Sequence, residues 1–300
     1  MKTCAIIGST KIAEIHVREF LRNGINDITV ISRNKTKSKK FSENLTLKFK
    51  RKIKFSDLKI ISNRNFNYIS VCSNTKYHLE NLKKLKNKKT KILVEKPLMP
   101  LKNITNIDKE LDKIYDKYPN LFISYPMFYL YNFFIKNFKV DKKINSIFVY
   151  YQTRGNKISK EIFFDLAPHV LILIIHFINK KKMQIDSISS NIKKNSFAAF
   201  FKIIGVKIKI ELLQIKEKKN SVFKFEINKK KIKRITKLEN NNFTNYLEYK
   251  NKKKYLKNPM SSVIKNFVKY DKTSKQFKLN KNQTYQLSYL TKSIYDKCDN

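Results

Sequence analysis

The sequence predicts an α/β protein: a doubly wound parallel sheet first, then an α+β domain with a mostly antiparallel open sheet. Three observations lead there. Short apolar runs alternate with amphipathic segments as far as about residue 143, and beyond it strand-like segments follow one another through short polar links. The chain has 300 residues, 41% of them hydrophobic, enough for two cores.

The elements follow in order. The run "TCAIIG" ends in glycine, "KIAEIHVREFLRN" carries apolar residues at helical spacing, and "DITVIS" is β-branched, which makes one strand–helix–strand unit. The alternation continues through "NYISVC" (strand), "YHLENLKKL" (helix), "KILV" (strand), "ITNIDKELDKIYDKY" (helix) and "LFISY" (strand). Continuous apolar strands separated by amphipathic helices predict a parallel sheet covered on both faces. After it, "NSIFVYYQTRG", "QIDSISSNI", "SFAAFFKIIG", "VKIKIELLQI", "SVFKFEIN" and "KIKRITKL" read as strands, with one helix inserted over 165–178. The polar "LENNNFTNYLEYKNKKK" reads as a loop, and helices over roughly 259–270 and 281–297 close the chain.

A formal net charge of +43 suggests a nucleic-acid binder. Only seven of the 66 basic residues are Arg, the residue that phosphate and base-edge recognition prefers, and Lys is spread over the whole chain. The charge therefore reads as compositional, with no specific nucleic-acid partner, although it draws in anions of every kind. Cys4, Cys72 and Cys298 are odd in number and far apart, so no disulfide framework and no metal site is expected. The N-terminal apolar run is broken by Lys11 and Glu14, unlike a signal peptide, and the apolar stretch 170–178 is short for a bilayer span of ~20 residues. The expected location is cytoplasmic.

In a doubly wound sheet ligands bind beyond the carboxyl ends of the strands. There the chain carries Gly8-Ser9-Thr10, Ser32-Arg33, Cys72-Ser73-Asn74 and Glu95-Lys96-Pro97, all small or polar. Polar residues also begin at strand ends in any protein, so each triplet alone stays ambiguous. "GSTKIA" stands where a dinucleotide loop G-x-G-x-x-G/A would stand, and Thr10 replaces its middle glycine, so that side chain must point away or shift the phosphates. After the second strand no carboxylate waits for a ribose 2′-hydroxyl. Ser32 and Arg33, with Lys35 and Lys37 beyond, suit a 2′-phosphate instead. In "FFDLAPHVLILIIHFI" Asp165 suits a helix N-cap and Pro168 the first turn, placing His169 near the positive end of the helix, where a neutral imidazole is favoured. A capping Asp beside a structural His is the competing reading, and His176 reads as a packed core residue.

Four motifs together carry a resemblance: "IIGSTKIAEIH", "VCSNTKYH" at 71–78, "EKP" at 95–97 and "DLAPH" at 165–169. In their order and spacing the chain resembles the Gfo/Idh/MocA oxidoreductases, which join an N-terminal Rossmann domain to a C-terminal sheet domain. The resemblance implies an NAD(P)-binding domain over 1–120 and a substrate and oligomerisation domain over 121–300. It implies a dehydrogenase or reductase that moves a hydride between a nicotinamide cofactor and a hydroxyl or carbonyl of a sugar, cyclitol or nucleotide-activated sugar. Lys96, Asp165 and His169 would be catalytic. Gly8, Ser9, Thr10, Lys11, Ile12, Ser32, Arg33, Cys72, Ser73, Asn74, His78, Glu95 and Lys96 would hold the cofactor, NADP before NAD. Self-association through the C-terminal sheet is expected. Two other classes stay open on the residues alone: a non-catalytic binding protein of the same fold that lost tight dinucleotide binding through Thr10, and a basic nucleic-acid binder.

Overall fold

The computed structural model describes residues 1–85, 89–102, 104–138, 143–179, 183–217, 221–239 and 242–299. The chain divides into a first unit of residues 1–124 and 260–285 and a second of residues 125–259 and 286–300.

The first unit holds β1 (Thr3–Ile7), α1 (Lys11–Arg22), β2 (Asp27–Ile31), α2 (Lys35–Phe49), β3 (Lys54–Ser56), α3 (Ile60–Asn63), β4 (Tyr68–Val71), α4 (His78–Lys83), β5 (Lys91–Glu95), α5 (Ile107–Lys117) and β6 (Leu121–Ser124). The strands form one sheet in the order β3-β2-β1-β4-β5-β6, and every pair is parallel. The strand order reverses beside β1, so the loops after β1 and β4 frame a crevice where such sheets bind ligands. β1, β2, β4 and β5 are buried almost residue for residue, as a sheet covered on both faces requires. α8 (Pro259–Lys269) belongs to this unit from Met260, as does the start of α9 (Lys275–Asp299) up to Tyr285. The rings of Phe20, Tyr68, Phe122 and Phe267 make one edge-packed cluster, with centroids 5.9–6.2 Å apart. From α9, the Asn280 side chain bonds both the N–H and the carbonyl of Ile123 at 2.8 Å, extending the β6 edge.

Three elements here lie outside the sequence expectation, α2, β3 and the short α3. The buried residues of α2 are Ser38, Ser42 and Leu45, so no apolar stripe marks it. The serines satisfy the backbone beneath them: Ser42 Oγ donates to the Ile53 carbonyl at 2.6 Å and Ser38 Oγ to that of Ser56 at 3.0 Å.

The second unit holds α6 (Pro126–Asn137), β7 (Ser146–Thr153), α7 (Lys160–Ile178), β8 (Ile185–Lys193), β9 (Ser196–Ile203), β10 (Val206–Gln214), β11 (Val222–Ile227), β12 (Lys230–Glu239), β13 (Asn242–Tyr249), β14 (Lys252–Leu256) and the end of α9. Its sheet runs β14-β13-β12-β11-β7-β10-β9-β8, antiparallel except where β10 lies parallel to β7. α7 packs on one face over β7, β9 and β10.

Three expectations are corrected here. Of the polar stretch 238–254 expected as a loop, 240–241 lie outside the described residues, 238–239 end β12, and 242–254 are β13 and the start of β14 joined by a tight turn. Asn245, Leu247 and Tyr249 alternate inward, and Lys250 and Asn251, both at positive φ (47° and 60°), make the two-residue hairpin turn. The inserted helix begins at Lys160, not 165, because Ile162 and Phe163 are fully buried and extend the packed face by more than a turn. Asp165 is therefore not an N-cap, Pro168 lies inside the helix, and His169 is beyond the first turn, where the dipole acts. Finally, at 19 residues α7 is long and apolar enough to cross a bilayer, but 72% of its apolar window is buried against the rest of the chain, as in a core helix.

Candidate functional site

Gly8 ends β1 at φ 130°, and a Cβ there would lie 2.8 Å from the Cys72 carbonyl oxygen, so only glycine lets the β1 and β4 ends approach this closely. Thr10 caps α1: its hydroxyl oxygen accepts from the Ala13 N–H and its proton goes to the Cys72 carbonyl, both at 3.3 Å. The side chain is thus turned into the loop, away from the space in front of the helix N-terminus. That observation answers the steric question Thr10 raises, and the α1 terminus keeps its free N–H groups for an anion.

A cleft of about 310 Å³ opens here, lined by Gly8, Ser9 and Thr10 from the first loop, Ser32 and Arg33 from the second, and Ser73 and Asn74 from the third. Ile7, Asn34, Lys37, Leu58, Tyr77 and Asn81 complete its wall. Of the residues expected to hold a cofactor, Lys11, Ile12, Cys72, His78, Glu95 and Lys96 do not line it. Lys11 and Ile12 open α1, and Cys72 takes part through its carbonyl. Tyr77 is the residue sequence reasoning missed: the Arg33 guanidinium lies 3.6 Å from its ring centroid, a stacked pair at the cleft wall. The only signal was an aromatic residue beside the third loop. Asn34 caps α2 by accepting from Lys37 N–H at 2.9 Å, so a second helix N-terminus faces the same corner. Ser32 is not a spare donor as expected: its hydroxyl already donates to the Asn34 carbonyl at 2.5 Å, leaving it as an acceptor.

Behind the cleft two histidines brace the strand ends. His78, 1% exposed, lies between the Ser73 carbonyl (2.9 Å) and the Pro97 carbonyl (3.0 Å), tying the loop after β4 to the turn after β5. Burial pushes its pKa down, so one ring N–H donates at a time. His16, fully buried in α1, bonds Ser70 Oγ at 2.7 Å and Glu95 Oε1 at 2.8 Å. Burial favours its neutral form, but the Cys72 sulfur and the Glu95 carboxylate push its pKa up to about 10. Burial likewise raises Glu95, and the bond and charge of His16, with Ser124 and Lys96, more than offset that and hold the carboxyl below its usual range. Glu95 thus faces inward as half of a buried ion pair, while Lys96, next in sequence, begins the turn at the cis Lys96–Pro97 bond.

In the second unit Asp165 and His169 stand one turn apart on α7 and share a helix face. Asp165 Oδ2 accepts from Gln214 Nε2, whose own Oε1 accepts from Lys157 N–H at 2.9 Å. The His169 ring meets the Tyr151 ring edge-on at 5.7 Å. His176 lies against the rings of Phe128 and Tyr131, and burial pushes its pKa down to about 4, as a packed histidine requires. Among the described residues no His, Cys, Asp or Glu group is arranged to hold a metal ion.

A parallel sheet with a glycine turn, two helix N-termini and a stacked arginine at its switch point defines the class: a Rossmann-type dinucleotide-binding protein carrying a second sheet domain. Residues 2–121 match the sequence model of the Gfo/Idh/MocA family, described as an oxidoreductase family with an NAD-binding Rossmann fold. No curated protein matches the chain at a significant level. Solved structures share the whole fold at low identity. UDP-N-acetylglucosamine 3-dehydrogenase from Acidithiobacillus ferrooxidans is 11% identical, with 99% of this chain and 98% of that one covered at a TM-score of 0.68. A 3-ketoreductase from Actinomadura kijaniata, in complex with TDP-benzene and NADP, is 10% identical over 99% and 98% at 0.69. A myo-inositol dehydrogenase from Corynebacterium glutamicum is 11% identical over 100% and 97% at 0.68.

Proposed function

We propose that this protein is an NAD(P)-dependent oxidoreductase, with NADP(H) favoured, acting on a hydroxyl or carbonyl group of a sugar, cyclitol or nucleotide-activated sugar. One observation carries the cofactor reading: the cleft beyond β1, β2 and β4, where Gly8 is sterically required and Arg33 stacks on Tyr77 beside the α2 N-terminus. The residues fit a dinucleotide. The α1 N-terminus, with Ser9 and the Thr10 backbone, suits the pyrophosphate. Arg33, Lys37 and the start of α2 suit a 2′-phosphate, and Ser73 and Asn74 the ribose next along. The nicotinamide, when bound, accepts or delivers the hydride.

The chain's own residues would handle the oxygen and its proton. Lys96 hydrogen-bonds the reacting oxygen, its backbone braced by the buried Glu95–His16 pair. His169 takes or returns the hydroxyl proton, and Asp165, anchored by Gln214, orients it or the substrate. The second unit supplies the substrate surface and, through its open sheet face, self-association. That reading is supported by Phe200 and Tyr255, 47% and 58% exposed there. A cytoplasmic location and the absence of a sequence-specific nucleic-acid partner complete the proposal.

Titration with NADPH and NADH, followed by nicotinamide fluorescence at physiological salt, tests it. Tighter binding of NADPH is expected, and no binding of either cofactor removes the reading.

A further inference from the structure

The helix-covered face of the second sheet is largely apolar, with a few polar residues set into it. Strand register aligns Leu212, Tyr151, Phe223, Arg234 and Leu247 across five strands, one residue on each. Directly opposed residues point to the same face. In the next row of this face, two residues back along β7, stand Ile210, Val149, Phe225 and Ile232, all buried and all apolar. A tyrosine and an arginine in the neighbouring row are not what an apolar face needs.

Among the described residues Arg234 is only partly satisfied. Its Nη2 donates to Asn245 Oδ1 at 2.9 Å, but Nε has no solvent contact and no partner. The titratable neighbour it feels most is Tyr151, a neutral phenol whose pKa burial pushes up further, and no described carboxylate pairs with Arg234. Arg234 is half-buried, and a guanidinium partly withdrawn from water without a counter-anion is unfavourable unless a ligand provides one. Tyr151 also ties this position to the helix above. Its ring meets His169 at 5.7 Å, and it feels the Asp165 charge.

We propose that Arg234, Tyr151 and Asn245 form a subsite for an acidic group of the substrate, a carboxylate or phosphoryl oxygen on a polyhydroxylated compound. The planar Arg234 fork presents its Nη N–H groups to two anionic oxygens, and the Tyr151 hydroxyl adds a further donor. Lys in place of Arg would supply the charge without that fork. An acidic group held there leaves the hydroxyl-bearing part of the molecule toward Asp165 and His169. This inference rests on the oxidoreductase reading for its choice of a sugar-like ligand, but its residues lie in the second unit alone, so the two can fail separately.

The test uses the full chain and three probes of one skeleton at constant ionic strength: glucose, glucuronate and glucose 6-phosphate. Binding is followed by calorimetry, and nicotinamide fluorescence with NADPH is recorded in parallel as the independent readout of the oxidoreductase reading. At least one acidic probe is expected to bind on the order of 10-fold or more tighter than glucose, and the tighter of the two identifies the acidic group. Arg234→Met should abolish that margin and Arg234→Lys should retain only part of it. Lys233→Met removes the same charge from the exposed side of the same strand and should leave the margin intact. If Arg234→Met does not fold, the comparison of Arg234→Lys with Lys233→Met decides. Three results overturn the subsite: no preference for either acidic probe, an equal loss in the Arg234 and Lys233 variants, or a margin unchanged in Arg234→Lys and Arg234→Met. Loss of NADPH binding with an intact Arg234-dependent margin would overturn the oxidoreductase reading and leave the subsite standing.

Discussion

The two units place their polar residues in opposite ways. In the first, the candidate site residues sit in turns at the carboxyl ends of strands, where Gly8, Thr10, Arg33, Asn74 and Lys96 each lie within a few residues of the strand that delivers them. In the second, Tyr151, Arg234 and Asn245 sit within long strands on a buried sheet face, and Asp165 and His169 lie well inside a helix. Turn chemistry is local: a glycine at positive φ, an Asn cap or a cis-proline turn leaves its mark in adjacent residues. Sheet-face chemistry depends on register between strands far apart in sequence, and a slip of one residue would turn Arg234 to the other face.

The largest effect that would break this contrast concerns Lys96. Lys96→Met should lower kcat by roughly 10²–10⁴-fold, the range for a group acting directly on proton transfer, while NADPH still binds. Single-turnover kinetics beside a cofactor titration checks it, and a kcat within a few-fold of the parent would return Lys96 to the status of an ordinary turn residue. His169→Ala should act on kcat in the same range. If only one of the two variants loses activity, the chemistry belongs to one unit and the contrast sharpens.

Next in size is the buried pair that holds up the turn. His16→Leu leaves Glu95 buried without its partner and should destabilise the protein by about 3–5 kcal/mol in urea denaturation. The pH dependence follows from the direction of each shift. His16 titrates near 10 folded and near ~6.5 unfolded, so its contribution is complete below ~6.5 and is lost as pH rises toward 10. Glu95 is shifted down, so its contribution is complete above ~4.3, its unfolded value, and is lost as pH falls below it. The stability gap between the parent and a His16→Gln/Glu95→Gln variant should therefore be widest at about pH 5–6.5 and narrow on both sides. A gap flat from pH 6 to 10 would show that the pair is neutral.

Arg33→Ala should remove most of a preference for NADPH over NADH on the order of 10–100-fold, leaving NADH affinity nearly unchanged. Equal loss for both cofactors would mean that Arg33 serves the adenine through its stack on Tyr77 instead of a 2′-phosphate. The smallest effect belongs to the second unit. A Cβ on Gly155 would lie 2.2 Å from Gln214 Oε1, the end of a flexible side chain, so Gly155→Ala should displace Gln214 from Asp165 with about 0.5–1.5 kcal/mol of lost stability. Thermal denaturation reads that change, and a kcat loss accompanying it would tie Gln214 to the orientation of Asp165.

Much of this contrast was legible in advance. The parallel sheet announced itself through continuous apolar strands, and the tight turn after β1 through Gly8, because both depend on near neighbours. α2 was not legible because its buried face is built from Ser38 and Ser42, and β13 and β14 were hidden under an Asn- and Lys-rich composition whose hairpin turn uses no glycine. The start of α7 was misplaced for the opposite reason. An internal Pro168 costs about 3 kcal/mol in isolation, yet the burial of Ile162, Phe163 and the residues after it carries the helix through.

By itself, then, the sequence determined the α/β order, the glycine turn, the cation-rich second loop and the strand that leads into Lys96, all set by residues within one turn or strand of each other. Only the tertiary structure decided that Thr10 turns inward, that His16 and Glu95 meet across 79 residues, and that Arg234 lines up with Tyr151 through an intervening strand. Those outcomes depend on which strands pair and in what register, and that is settled by burying whole faces at once, a sum over the fold that no local stretch of sequence carries.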